Sequence, residues 1–155
     1  RSIQLIALSS IVFAIILFFA DRVKMESKSW NKITYIEALV VGLFQVLAFI
    51  PGASRAGVTI TGARLLGYDR VNAARFSMIL SIPIILASMT LSLINIFNEE
   101  YVVVNVYQSF FASLVAFITA LLSIIFLMRF IKKANFNIFI IYRIVLGIIL
   151  LVIYV

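Results

Sequence analysis

The sequence predicts an all-α, polytopic membrane helix bundle that contains a re-entrant helix hairpin. Three observations lead there. Hydrophobic residues make up 65% of the chain and charged residues 12%. Soluble domains average roughly 45–50% and about 25%, so this chain has too few polar groups to cover itself in water. Several apolar runs approach or pass the ~20 residues that a bilayer-crossing helix needs. Between two of them lie a pair of shorter runs broken by Pro51 and Gly52.

The elements follow in order. Residues 3–20 form the first predicted span, closed by Asp21, Arg22 and Lys24. The chain opens at Arg1 and enters this run at once, with no small-residue cleavage site behind it. That pattern reads as a span and not a signal peptide, and 1–155 reads as one transmembrane domain from the C-terminal portion of a longer protein. A polar loop to Thr34 carries Lys28, Lys32 and Trp30, residue types that suit a membrane interface. Residues 36–67 form the expected re-entrant hairpin: a run to Ile50, the Pro51-Gly52 breaker, then a second short helix from Ser54. Gly67 reads as the stop of that helix and Asp69 as the cap of the next. Spans are expected at 76–97, with Pro83 inside, at 106–128, and at 138–155, with Arg143 inside.

Charge supports the hairpin. Basic residues cluster at Arg22, Lys24, Lys28 and Lys32, at Arg70 and Arg75, and at Arg129, Lys132 and Lys133, while the loop at 98–105 holds Glu99, Glu100 and no base. All three basic clusters share one face only if 36–67 returns to its own side. The positive-inside rule makes that face cytoplasmic. The net charge of +7 is therefore read as contact with anionic headgroups and not with nucleic acid, since no aromatic–basic interleaving is present. The chain lacks cysteine and histidine, which removes thiolate metal sites and the usual general base near neutral pH.

The segment from Gln45 to Thr59 carries the chemistry. An arginine at bilayer depth costs about 2.5–3.5 kcal/mol on insertion scales, so Arg55 needs a buried acid or a bound anion. Ser54 is placed to cap the helix that begins there, and a helix start favours anions. Arg55 and Thr59 are one turn apart on one face, and Gly52 and Gly57 permit close backbone approach. These residues could form a phosphate site. They could equally form a turn, a cap and a structural ion pair, with Glu37 as one candidate partner for Arg55. Arg64, Arg70 and Arg75 are expected at the interface, as is Glu37. Arg143 is expected to snorkel to the interface, and Ser77 and Ser81 to serve helix packing.

Residues 51–59 resemble the proline-glycine-x-serine-arginine-serine-x-x-threonine signature of the undecaprenyl-diphosphate phosphatases, the bacitracin-resistance family. Gly42 and Gln45 before it are similar to the family pattern. So are Leu66-Gly67, the run from Ala73 to Ser77, Ser81 to Pro83, Tyr142-Arg143 and Gly147 after it. The second serine of the signature is replaced by Ala56. The resemblance implies hydrolysis of undecaprenyl diphosphate to undecaprenyl phosphate and inorganic phosphate, which recycles the carrier lipid of peptidoglycan synthesis and confers bacitracin resistance. It implies Ser54, Arg55 and Thr59 as catalytic residues and Gly52, Gly57 and Gln45 as substrate-binding ones. It also implies a multi-pass protein of the inner (plasma) membrane, half of an inverted-repeat architecture, with a polyprenyl diphosphate lipid as partner. A homodimer is a separate candidate assembly, one by which this chain alone could complete the site. A Mg2+ or Ca2+ ion is implied as cofactor, held by carboxylates of an N-terminal half that these 155 residues do not include. A lipid-phosphate transporter or flippase, and an inactive half without those carboxylates, are the competing readings.

Overall fold

The computed structural model describes residues 3–23, 28, 33–98, 106–133 and 135–154. Arg1, Lys24, Trp30, Lys32, Glu99 and Glu100, named above, lie outside them. Six α-helices occur among the described residues: α1 (Ile3–Asp21), α2 (Tyr35–Val46), α3 (Arg55–Leu65), α4 (Arg70–Asn98), α5 (Val106–Lys133) and α6 (Asn137–Tyr154). α1, α4, α5 and α6 are long and apolar enough to cross a membrane, and the protein is an all-α multi-pass membrane bundle.

Local chemistry sets the short helices between α1 and α4. Thr34 and Glu37 form a reciprocal capping box at the start of α2. A 3-10 turn, Leu47–Phe49, tightens its far end before Pro51. Ser54 caps α3 by accepting the Gly57 N–H at 3.3 Å. At the other end Gly67, with φ of 89°, donates its N–H to Arg64 O, and Tyr68 donates to Ala63 O. That pair of bonds is a Schellman motif, which needs a left-handed residue at the glycine position. Asp69 then accepts the Asn72 N–H at 2.8 Å and starts α4. α2 has 12 residues and α3 has 11, lengths of ~18 and ~16 Å at ~1.5 Å per residue. Neither crosses a hydrocarbon layer of ~30 Å.

α3 is the central element and touches α1, α2 and α4, while α1 lies along α6. Ala14, Leu17, Ala74, Ile131, Phe136 and Ile140 form one buried cluster. Val41, Ala63, Tyr68, Ala73 and Phe76 form the other. These clusters gather the C-terminal ends of α1 and α5 and the N-terminal ends of α4 and α6 at one pole, so Arg22, Arg70, Arg129, Lys132 and Lys133 lie at that pole. The α2–α3 hairpin also begins and ends there, because the Tyr68 hydroxyl donates to Glu37 Oε2 at 2.8 Å.

One charged residue expected at the interface is embedded instead. Arg64 is buried in an ion pair with Asp21, 3.2 Å from Nε to Oδ1. It also donates to Asp21 O at 2.6 Å and Tyr68 O at 2.7 Å. Glu37 pairs with Lys28 at 2.9 Å and with Tyr68 and Thr34, which excludes it as a partner for Arg55. The backbone N–H of Thr34, then Lys28, hold the Glu37 carboxyl down from 4.5 to about 2, while partial burial works the other way. A depressed carboxyl stabilises the fold above its ordinary value and loses that contribution as pH falls through its folded value. Thermal unfolding in detergent is therefore expected to show an acid-side loss of stability between pH 4.5 and about 2. In Glu37→Gln that arm should flatten; an unchanged acid arm would refute the assignment.

Candidate functional site

The hairpin tip is a turn held under strain. Gly52 has φ of 92° and Ser54 has φ of 66°, the latter a left-handed conformation that costs a residue with a side chain roughly 1–3 kcal/mol. The surroundings enforce it. Ser9 of α1 donates its hydroxyl to Pro51 O. Arg143 of α6 donates Nη2 to Gly52 O at 2.8 Å and to Ala53 O at 3.0 Å. Only glycine fits at 52, because a Cβ there would collide with Ile6 O and Ser9 Oγ. The first intrahelical bond of α3 runs from Val58 N–H to Ser54 O at 3.0 Å. The N–H groups before it have no carbonyl within the helix and point toward the turn.

Two cavities flank this turn. One, of about 390 Å³, is lined by Gly42, Gln45, Phe49, Arg55 and Ile84 among others. Gln45 Oε1 is buried there without a hydrogen-bond partner among the described residues. Arg55 is half-buried, and its one weak contact of note is Nη1 to Ser77 O at 3.5 Å. The other cavity, of about 430 Å³, has Ser10, Gly52, Ser54, Gly57, Tyr142 and Arg143 at its polar end. Arg143 Nη1 is buried and unpartnered among the described residues, only 2.7 Å from where a Cβ on Gly57 would stand.

The six expected site residues are thus divided. Arg55 and Gln45 share one cavity; Ser54, Gly52 and Gly57 share the other. Thr59 lines neither. It is fully buried, donates to Arg55 O at 2.9 Å and meets Ser77 Oγ at 2.7 Å. Its hydroxyl braces α3 against α4.

Arg143 departs from its expected snorkelling. Its depth in α6 permits that route, but two backbone carbonyls at the tip capture the guanidinium. Ser9 and Ser10 were missed altogether. The signal for Arg143 is the general one that an ionisable residue inside a span is a functional candidate; for the serines it is only a hydroxyl pair in an apolar run. No carboxylate lines either cavity, and no three acidic, histidine or cysteine side chains gather among the described residues. Two guanidinium groups disfavour a cation. These residues do not fit a Mg2+ or Ca2+ ion.

A family model described as bacitracin resistance protein BacA matches residues 1–149. The chain belongs to the BacA family. An undecaprenyl-diphosphatase of Saccharophagus degradans is 44% identical over 150 residues, covering 95% of this chain and 55% of the relative. One of Roseobacter denitrificans is 37% identical over 153 residues, covering 98% and 57%. One of Syntrophobacter fumaroxidans is 41% identical over 151 residues, covering 95% and 52%. This BacA-family chain spans about half the length of the curated relatives it matches.

Proposed function

We propose that this chain supplies the phosphate-binding part of an undecaprenyl-diphosphate phosphatase, which hydrolyses undecaprenyl diphosphate to undecaprenyl phosphate and inorganic phosphate in the plasma membrane. The observation that carries this reading is the strained Ser54 turn with a guanidinium on each side, one of them holding a buried N–H without an acceptor among the described residues. A buried charged donor without an acceptor is costly, and a diphosphate offers many acceptor oxygens, pairs of which the planar donor fork of arginine can match. The relatives are undecaprenyl-diphosphatases, and from them comes the reaction.

In this reading Arg55 clamps the terminal phosphate, the free N–H groups at the start of α3 add donors to its oxygens, and Ser54 stands at the turn between the two cavities. Phosphoryl transfer rests largely on such positioning and charge. The carboxylates that would hold a divalent cation or act as base come from a preceding half of the protein. The hairpin is re-entrant: its base shares the basic, cytoplasmic pole, and its tip meets Ser9, about 18 Å along α1 from Asp21 at ~1.5 Å per residue. In a hydrocarbon layer of ~30 Å that depth puts the tip near the midplane.

Phosphate release from undecaprenyl diphosphate in detergent with Mg2+ tests the proposal. The chain alone is expected to release none. Joined to the preceding half of the Saccharophagus degradans relative, it should release phosphate. Release by the chain alone would overturn the need for that half and point to a homodimer. No release from either preparation, with movement of the lipid across vesicles, would favour a carrier and overturn the phosphatase.

A further inference from the structure

The cavity headed by Arg143 continues into an apolar trough that the proposed clamp at Arg55 does not use. Ile131, Phe136, Phe139, Leu146 and Leu150 of α5, α6 and their connection line it, with Leu127. At its polar end the Arg143 guanidinium is fixed in place, since Nη2 is bound to both Gly52 O and Ala53 O. Nη1 then faces a wall without a carboxylate and without an acceptor among the described residues. A fixed cation with a spare buried donor calls for an anion, and a trough of hydrocarbon side chains calls for hydrocarbon. One ligand satisfies both: an amphiphile whose anionic group is joined directly to an apolar chain. A space of about 430 Å³ is of drug-like size, enough for a phosphate and the first part of one chain.

We infer that the substrate straddles the start of α3, with its isoprenoid chain in the α1–α5–α6 trough, its lipid-linked phosphate on Arg143 and its terminal phosphate in the Arg55–Gln45 cavity. The two cavities lie on either side of one turn, and a diphosphate offers one phosphate to each. This orientation rests on the phosphatase reading and adds a direction to it. Water adds to the terminal phosphorus and the anhydride P–O bond breaks. The bridging oxygen departs on the lipid monophosphate, whose developing negative charge Arg143 is placed to hold. Gly57 belongs to this arrangement, because any side chain there would displace Nη1.

A farnesyl diphosphate analogue with a diazirine in its first isoprene unit tests the inference on the chain itself, in nanodiscs. Labelling is expected on the α5 and α6 stretches around Leu127, Leu146 and Leu150. Unlabelled undecaprenyl diphosphate should displace it, and phosphatidylglycerol should not. Arg143→Ala should lower labelling about tenfold, the worth of one charge-assisted hydrogen bond, with Arg143→Lys between. Because Arg143 also braces the turn, Leu146→Trp serves as a second variant: it fills the trough, leaves the turn untouched and should block labelling to a similar extent. Label on α2 or α4, insensitivity to Leu146→Trp, or equal displacement by phosphatidylglycerol would overturn the inference. Phosphate release by the joined protein with label elsewhere would sink the orientation alone. Label in the trough without phosphate release would sink the phosphatase alone.

Discussion

Asp21→Ala is expected to destabilise the protein by about 3–5 kcal/mol, the usual cost of stripping one partner from a buried ion pair. Asp21 is almost wholly enclosed, with a side-chain exposure of 4%, against 1% for Arg64. Its carboxylate lies 3.2 Å from Arg64 Nε and takes both Nε and Nη2 of Arg70, at 2.8 and 2.9 Å. Removing it leaves two arginines facing each other at the pole where α1, α3 and α4 meet. Arg70→Ala should cost much less, because Arg70 is a quarter exposed and water replaces part of what it loses. Thermal unfolding and size-exclusion behaviour in detergent check both. An Asp21→Ala protein as stable as the parent would mean that the network contributes nothing net to folding.

Arg55→Ala is expected to fold normally and to lose phosphate release by about 10³-fold in the joined protein, the lower range for removing a charge-stabilising arginine from phosphoryl transfer. The contrast between fold and activity is the point. Among the described residues the guanidinium makes only a 3.5 Å contact to Ser77 O, so little structural stabilisation is at stake. Arg55→Lys should fall between, since an ammonium keeps the charge but not the two-pronged geometry. Comparable loss of unfolding temperature and activity would recast Arg55 as a structural residue. Parental turnover in Arg55→Ala would remove the clamp.

How much of this was legible in the sequence varies by residue. The apolar runs, the Ser54 cap, the Gly67 stop and the Asp69 cap could be read directly, since each rests on chemistry within a few residues of chain. Arg55 could be named as a candidate because it stands inside the signature at 51–59, and Gln45 because it precedes that signature in a family-like pattern. Thr59 could be named but not placed: helix periodicity sets its face, and only the packing of α4 shows that Ser77 already occupies that face. Arg143 was legible as an anomaly and misread as to direction. Its partners, Gly52 and Ala53, stand about ninety residues away, and no local rule reports a contact at that separation.

The sequence by itself determined that this chain lives in lipid, that its helices are these, that a short pair is broken at Pro51, and that an arginine and a serine stand at the break. Those outcomes follow from hydropathy, helix length and turn chemistry, which act over one or two turns. Tertiary structure alone decided that Arg64 and Asp21 are buried together. It alone set the left-handed Ser54 turn between two cavities, with Arg55 in one and Arg143 in the other. The physical reason is that a guanidinium in an apolar bundle goes wherever an acceptor is within reach, and which acceptors are within reach depends on how α1, α3 and α6 pack.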